Sequence, residues 1–542
     1  MKRPWNEFLR PVLLVAAACI LGSLGLAATA GAHPGHTGPH DELSDLRTQA
    51  EALIADLNLD GWNSWSNGDD SHSAEIYGRY PGLFTPENIR KVQDELGHAT
   101  AARDRKALVL LKRYLEGEFI NQKAAAMRDS ISNLEIAATV VVDTGRISYY
   151  QADNYLANQP DHLLRLKAYR AEDSVLASID PLRLQVLDLT SREAAALGYK
   201  SRLDYFEFQK GVSFANLEAE VRGFLEDTRG VYDSSLTALC ASELHLPREQ
   251  LRRADVGRLN RLQAYDGYFS RQELLPILKK SWAGIGVDVD RQRNILIDSE
   301  IREKKNPRAV CFSIHVPTDI RLSVKPQGGL QDYEALFHEM GHAEHYAHTR
   351  QDRWEFRDLG TNTFTECMAF LDEYLIEDPA WVGANLKMPE ADSKEFLARA
   401  GFLRLLLLRR YAGKFLFELA LHRGESDWRG AYHREMQAAL LYPLDASDDL
   451  RALRDDEGFY EGDYLQAWFL EAMLKEKLQQ KFGANYFQKP EAGLFLKELW
   501  AYGNELDGPD LARRLGEKDT ERGPLVRELQ RLIRSGGLGA GR

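Results

Sequence analysis

The sequence predicts a mostly α-helical fold, and three observations point to it. Long stretches of good helix formers run from about residue 76 to the C-terminal region with few interruptions. Helix punctuation recurs along them: Thr85-Pro86 reads as an N-cap followed by proline at the first helical position, and Thr190-Ser191-Arg192-Glu193 reads as a capping box whose helix stops at Gly198. Only two short segments carry a β pattern. Ala309–Val316 is rich in β-formers and ends at Pro317, and Ile320–Val324 alternates apolar and polar residues before Lys325-Pro326. Together they predict a small antiparallel element, whose edge could pair with an extended peptide or serve as a purely structural hairpin.

Taken in chain order, the first element is a targeting segment. Lys2, Arg3 and Arg10 precede an apolar run from Pro11 to Ala28 and the small residues Ala28–Ala32, the tripartite pattern of a secretory signal over 1–32. It predicts an exported, periplasmic or secreted protein, with cleavage after Ala30 or Ala32. An uncleaved anchor and a lipid anchor at Cys19 are weaker readings, the latter because the chain stays apolar well past Cys19. Residues 33–75 read as a low-complexity leader and linker, opening on the His-, Pro- and Gly-rich stretch 33–40 and closing on the polar stretch 62–73. Residues 76–540 read as one large catalytic domain with no repeat to divide it, and no further stretch is long and apolar enough to span a membrane.

Composition excludes some function classes. The 542 residues carry 69 Lys and Arg against 82 Asp and Glu, a net charge of −13. That balance, without a basic stripe, argues against nucleic acid as a partner. Cys240, Cys311 and Cys367 are too few and too far apart for a disulfide framework.

The chemistry-bearing element follows the β pattern. Leu330–Phe337 leads as a helix into His338-Glu339-Met340-Gly341-His342. On a helix the two histidines stand one turn apart on one face and can share a Zn²⁺, with Glu339 beside it as general base. With 14 histidines in the chain, a chance match is rare. A catalytic zinc needs a third protein ligand and an open position. Glu366, 24 positions after His342 at the start of a second predicted helix, is the candidate. Glu373, seven residues on, and Asp358 are candidate carboxylate partners for the imidazoles, as is Asp332. His345 and His348 read as supporting or surface residues.

These residues resemble the helical zinc peptidases that include thimet oligopeptidase, the oligoendopeptidases and, more distantly, angiotensin-converting enzyme. His338–His345 matches the thimet-type His-Glu-x-Gly-His-x-x-His, and Ala196–Ser201 is similar to a segment that group carries upstream. The resemblance implies a large two-lobed helical metallopeptidase with a deep cleft, one Zn²⁺ held by His338, His342 and Glu366, Glu339 as base, and oligopeptide substrates. It also implies a tyrosine that stabilises the oxyanion, within Gly458–Trp468, where both Tyr464 and Tyr460 fit. Here the chain departs from the pattern, with Leu465 and Ala467 where that group has further tyrosines. The histidine usually found upstream is replaced by a stretch containing Arg451 and Arg454, either of which could hold a peptide carboxylate. Two alternatives stay open on these departures: a catalytically silent metal-binding relative that binds peptides or partners, and a dipeptide-releasing carboxypeptidase.

Overall fold

The computed structural model describes residues 43–260 and 262–538. Over these residues the fold is mostly α, with 22 α-helices and two small sheets. Residues 1–32, read from sequence as a signal segment, and with them Cys19, lie outside the described residues.

Helix α1 (Ser44–Asn67) occupies most of the stretch that the sequence presents as leader and linker. Its polar surface hides a narrow apolar stripe, and Leu46, Leu53 and Trp62 are buried. Helix α2 (Pro86–His98) starts as its residues predict, with Thr85 Oγ1 accepting the Asn88 N–H at 3.2 Å. Helix α3 (Ala102–Ala137) follows, then a hairpin of β1 (Thr139–Val142) and β2 (Gly145–Ser148). Helix α4 (Asp173–Ala196) runs straight through the predicted capping box. There Thr190 and Ser191 bond back to the Val186 and Leu187 carbonyls four residues earlier, because their surroundings already continue the helix. It ends beside Gly198, whose φ of 95° takes the chain out of the helix.

The second sheet has the order β3 (Ile295–Asp298), β5 (Asp319–Ser323), β4 (Val310–His315). Strands β4 and β5 form the antiparallel pair read from sequence, with Cys311 opposite Leu322. Strand β3 adds a parallel partner that the sequence reading missed. Edge strand β4 is covered by α1: Asn58 Nδ2 donates to the Ser313 carbonyl at 2.8 Å, and Trp62 packs edge-on against Phe312.

Four helices then build the centre: α5 (Leu330–His348), α6 (Asn362–Glu373), α7 (Glu390–His422) and α8 (Tyr460–Phe482). Their apolar faces form one continuous core that includes Phe337, Phe370, Phe415 and Trp468. Residues from α3, α5, α7 and α8 border a cavity of about 2060 Å³. No helix among the described residues is long and apolar enough to cross a membrane.

Candidate metal centre

Helix α5 carries the two histidines because one side of it is anchored. Leu330, Tyr333, Leu336, Phe337, Met340, Ala343 and Ala347 recur at three- and four-residue steps and are buried. Its N-terminus is fixed by carboxylates, with Asp332 accepting the Gly328 N–H at 2.6 Å and Asp266 the Leu330 N–H at 3.1 Å. Negative charge there also suits the helix dipole. Asp332 is thereby occupied at the helix start and does not reach the histidines.

Helix α6 crosses α5 at Gly341. A Cβ on Gly341 would lie 2.7 Å from Ala369 Cα and 2.7 Å from the Met368 carbonyl, so only glycine permits this approach. The close crossing brings Glu366 to the histidines. Glu366 Oε2 lies 3.4 Å from His338 Nε2 and 3.8 Å from His342 Nε2, and the ligand atoms of the three residues all fall within 4.8 Å of one another. Tetrahedral ligands about 2.1 Å from a zinc ion stand about 3.4 Å apart. The cluster therefore has the dimensions of a metal site.

The ring orientations agree with that. His338 Nδ1 is 2.7 Å from Glu373 Oε2, and His342 Nδ1 is 2.8 Å from Thr365 Oγ1. With each Nδ1 engaged, each Nε2 lone pair is directed at the space beside Glu366. Glu366 Oε1 accepts the Tyr464 hydroxyl at 2.6 Å, whereas its Oε2 is buried and has no hydrogen-bond partner among the described residues. A buried acceptor left in this state is costly, and a cation satisfies it.

Electrostatics point the same way. Burial lowers the His338 imidazole, but Glu373, Glu366 and Glu339 outweigh it and push it up to about 10. Burial, reinforced by His338, drives His342 well below the ordinary imidazole range. Burial also pushes Glu366 up to about 7, against the pull of His338 and Tyr464. Three carboxylates and two imidazoles thus share a space that a divalent ion would neutralise. No protein-family model and no curated protein matches this chain. What the site can do follows from its own atoms.

Glu339 faces the cavity one position beyond His338. Its Oε2 accepts the Cys311 N–H of β4 at 2.7 Å, and burial raises its carboxyl above the ordinary range. The sheet thus serves to orient Glu339. With Cys311 N–H and the Ser313 carbonyl both taken, β4 offers little edge for pairing, and from this segment only Arg308 and Ala309 border the cavity.

Tyr460 and Tyr464 project from the first turns of α8, their rings 4.3 Å apart. The turn that aims them holds Phe459 at φ 62°, an unfavourable conformation for a bulky residue. Phe459 stacks on Phe214, and Glu418 accepts the Glu457 and Phe459 N–H groups at 2.7 and 3.1 Å.

The other sequence candidates divide. Glu373 meets His338, as described. Asp358 does not meet His342; its charged neighbours are Arg357 and Glu51, and burial pushes its carboxyl up to about 7. His345 is fully buried between Tyr346 and Phe364, away from the cavity, and burial takes its imidazole down to about 3. Arg451 is fully buried, donating to Asp173 at 2.9 Å and the Tyr169 carbonyl at 2.8 Å, so it cannot meet a substrate carboxylate. Arg454 does line the cavity, donating to Tyr149 at 3.2 Å. Cys240, Cys311 and Cys367 are free. Sequence reasoning missed Thr365, the Cys311 backbone and Tyr411, whose ring lines the cavity 5.9 Å from that of Tyr464. Thr365 adjoins Glu366, but a threonine near a helix start reads first as a capping residue.

Proposed function

We propose that the protein is a zinc-dependent peptidase that hydrolyses peptide bonds in oligopeptides. The observation that carries the reading is the His338–His342–Glu366 cluster with Glu339 held beside it, His338 and Glu339 both bordering the cavity. A pure metal-binding protein would have no need of a buried carboxylate held beside the three candidate ligands. The cavity also supports it: about 2060 Å³ exceeds the roughly 300–1,000 Å³ of a small-molecule pocket and suits a peptide segment. The resemblance to thimet-type peptidases adds a two-lobed arrangement around that cavity, and the tripartite pattern of residues 1–32 adds an exported location.

A bound zinc ion supplies positive charge that polarises the scissile carbonyl and makes a water nucleophilic near neutral pH. Glu339 takes the proton of the attacking water on the carboxylate oxygen not engaged by Cys311, then delivers it to the leaving amine. Its raised proton affinity matches it to that double task. Tyr464, bonded to Glu366, orients the ligand; Tyr460 and Tyr411 present phenol rings to the cavity as candidates for the oxyanion. With Arg451 locked, a dipeptide-releasing activity would depend on Arg454.

The test is turnover of a mixed library of quenched peptides with free and amidated C-termini, before and after chelation and after zinc is restored. The reading predicts cleavage lost on chelation and regained with zinc. Cleavage of free-ended peptides alone would assign carboxypeptidase action. No turnover in any state would leave the silent binding relative.

A further inference from the structure

Beside the metal cluster the cavity wall is acidic beyond what hydrolysis requires. Glu334 stands one helical turn before His338, Glu373 meets His338, and Glu377 follows one turn later in the 3₁₀ turn Tyr374–Glu377; all three line the cavity, as does Asp266. Glu334 has no hydrogen-bond or ion-pair partner among the described residues, and its charged neighbours are Glu373, Glu377 and Asp266. Glu377 is 6% exposed, and its Oε2 is buried without a hydrogen bond.

The cations nearby are already committed. Arg404 lies 3.9 Å from Glu377 but is held by Glu471 at 2.7 Å and Glu528 at 3.5 Å, with its guanidinium over the Tyr374 ring. Arg308, also on the cavity wall, acts on Glu339, and among the described residues the charged neighbours of Glu334 include no cation. An inorganic ion does not fit the surplus: among the described residues only His338, His342 and Glu366 bring three ligand atoms within 4.8 Å. An ammonium or guanidinium group presents several N–H donors, which separate carboxylates can accept.

We infer that this corner is a subsite for the positive group of a bound peptide, a lysine or arginine side chain or the amino terminus, held by Glu334 and Glu377 next to the scissile bond. The inference rests on the peptide reading of the cavity and names its substrate class. Burial first, and then Glu373, Glu377 and Asp266, push the Glu334 carboxyl well above its ordinary range, and a cation arriving beside it restores its charge.

The test is equilibrium binding of fluorescent alanine hexapeptides, in which one lysine is walked through the positions, to the zinc-loaded Glu339→Gln protein. Norleucine replaces lysine in matched controls, with and without N-acetylation. At one position lysine is expected to bind about tenfold or more tighter than norleucine, the effect of a charge-assisted hydrogen bond. If norleucine peptides with a free amino terminus bind as much tighter than their acetylated forms, the amino terminus is the occupant. Glu334→Gln and Glu377→Gln should shrink the ratio, and Glu334→Lys should reverse it in favour of glutamate at that position. Equal binding of lysine and norleucine peptides at every position, together with equal binding of the free and acetylated forms, overturns the subsite. A peptidase failure is seen separately, as absent turnover by the wild-type protein.

Discussion

His338 and His342 would be poor ligands without the groups behind them. Glu373 and Thr365 fix the two rings, and Tyr464 fixes Glu366. Replacing a partner of this kind typically costs 10–100-fold in metal affinity. Glu373→Gln is therefore expected to weaken zinc binding by about tenfold or more while leaving the ligands in place, as measured by competition with a fluorescent chelator. Much at this scale was legible in the sequence. Two histidines one turn apart on one helix face and a carboxylate on the next helix suggest a metal site by spacing alone, and Glu373 follows from Glu366 by helical period. Thr365 and the Cys311 N–H were not legible, since a hydroxyl and a backbone amide acquire roles only from the packing of α6 and β4 against α5. Asp358 and His345 looked equally suitable as letters, but their directions on their elements take them elsewhere.

The elements matter because the candidate ligands are split between α5 and α6. Gly341 sets their separation, and Gly341→Ala would force them apart at Ala369, one turn from Glu366. The expected result is a folded protein whose zinc affinity falls at least about tenfold, since a ligand displaced by even a few tenths of an ångström leaves the range of zinc bonds. A chelator titration beside a thermal melt separates this from unfolding. Arg451 is the contrasting case. Fully buried, it ties the segment before α8 to Asp173 at the start of α4 and to the Tyr169 carbonyl. Arg451→Ala is expected to destabilise by about 3–5 kcal/mol, the cost of leaving buried partners unpaired. Denaturant unfolding would show that loss, whereas selectivity for free C-termini would not change. The paired β segments and the helix starting at Pro86 were readable from β-formers, prolines and caps. Helix α1 was not, because its polar sequence buries only a narrow stripe, and β3 was too short to stand out.

Across the whole molecule, the site, the cavity and the burial of charge act together. Metal capture needs Glu366 ionised and His338 unprotonated, yet burial takes the first up to about 7, and the surrounding carboxylates take the second up to about 10. Both groups release protons when the ion binds, so zinc affinity is expected to rise as pH increases through 7 toward 10 and to fall on acidification. Affinities measured across that range check the sign; an affinity that fell with rising pH would contradict it. Zinc should also raise the melting temperature, by about 2.7 kcal/mol of stability at a hundredfold excess over its dissociation constant. The mostly helical architecture was legible because caps and helix formers recur along most of the chain, whereas the cavity, assembled from helices hundreds of residues apart, was expected only by resemblance. The central claim is that Glu339 acts as a base beside a metal held by His338, His342 and Glu366. Its most direct test compares wild-type and Glu339→Gln proteins for zinc content and peptide turnover. Equal zinc in both, with turnover falling by about 10²–10⁴-fold in the variant, is the predicted result. Turnover that survives Glu339→Gln unchanged, or wild-type protein that binds no zinc, would contradict the account.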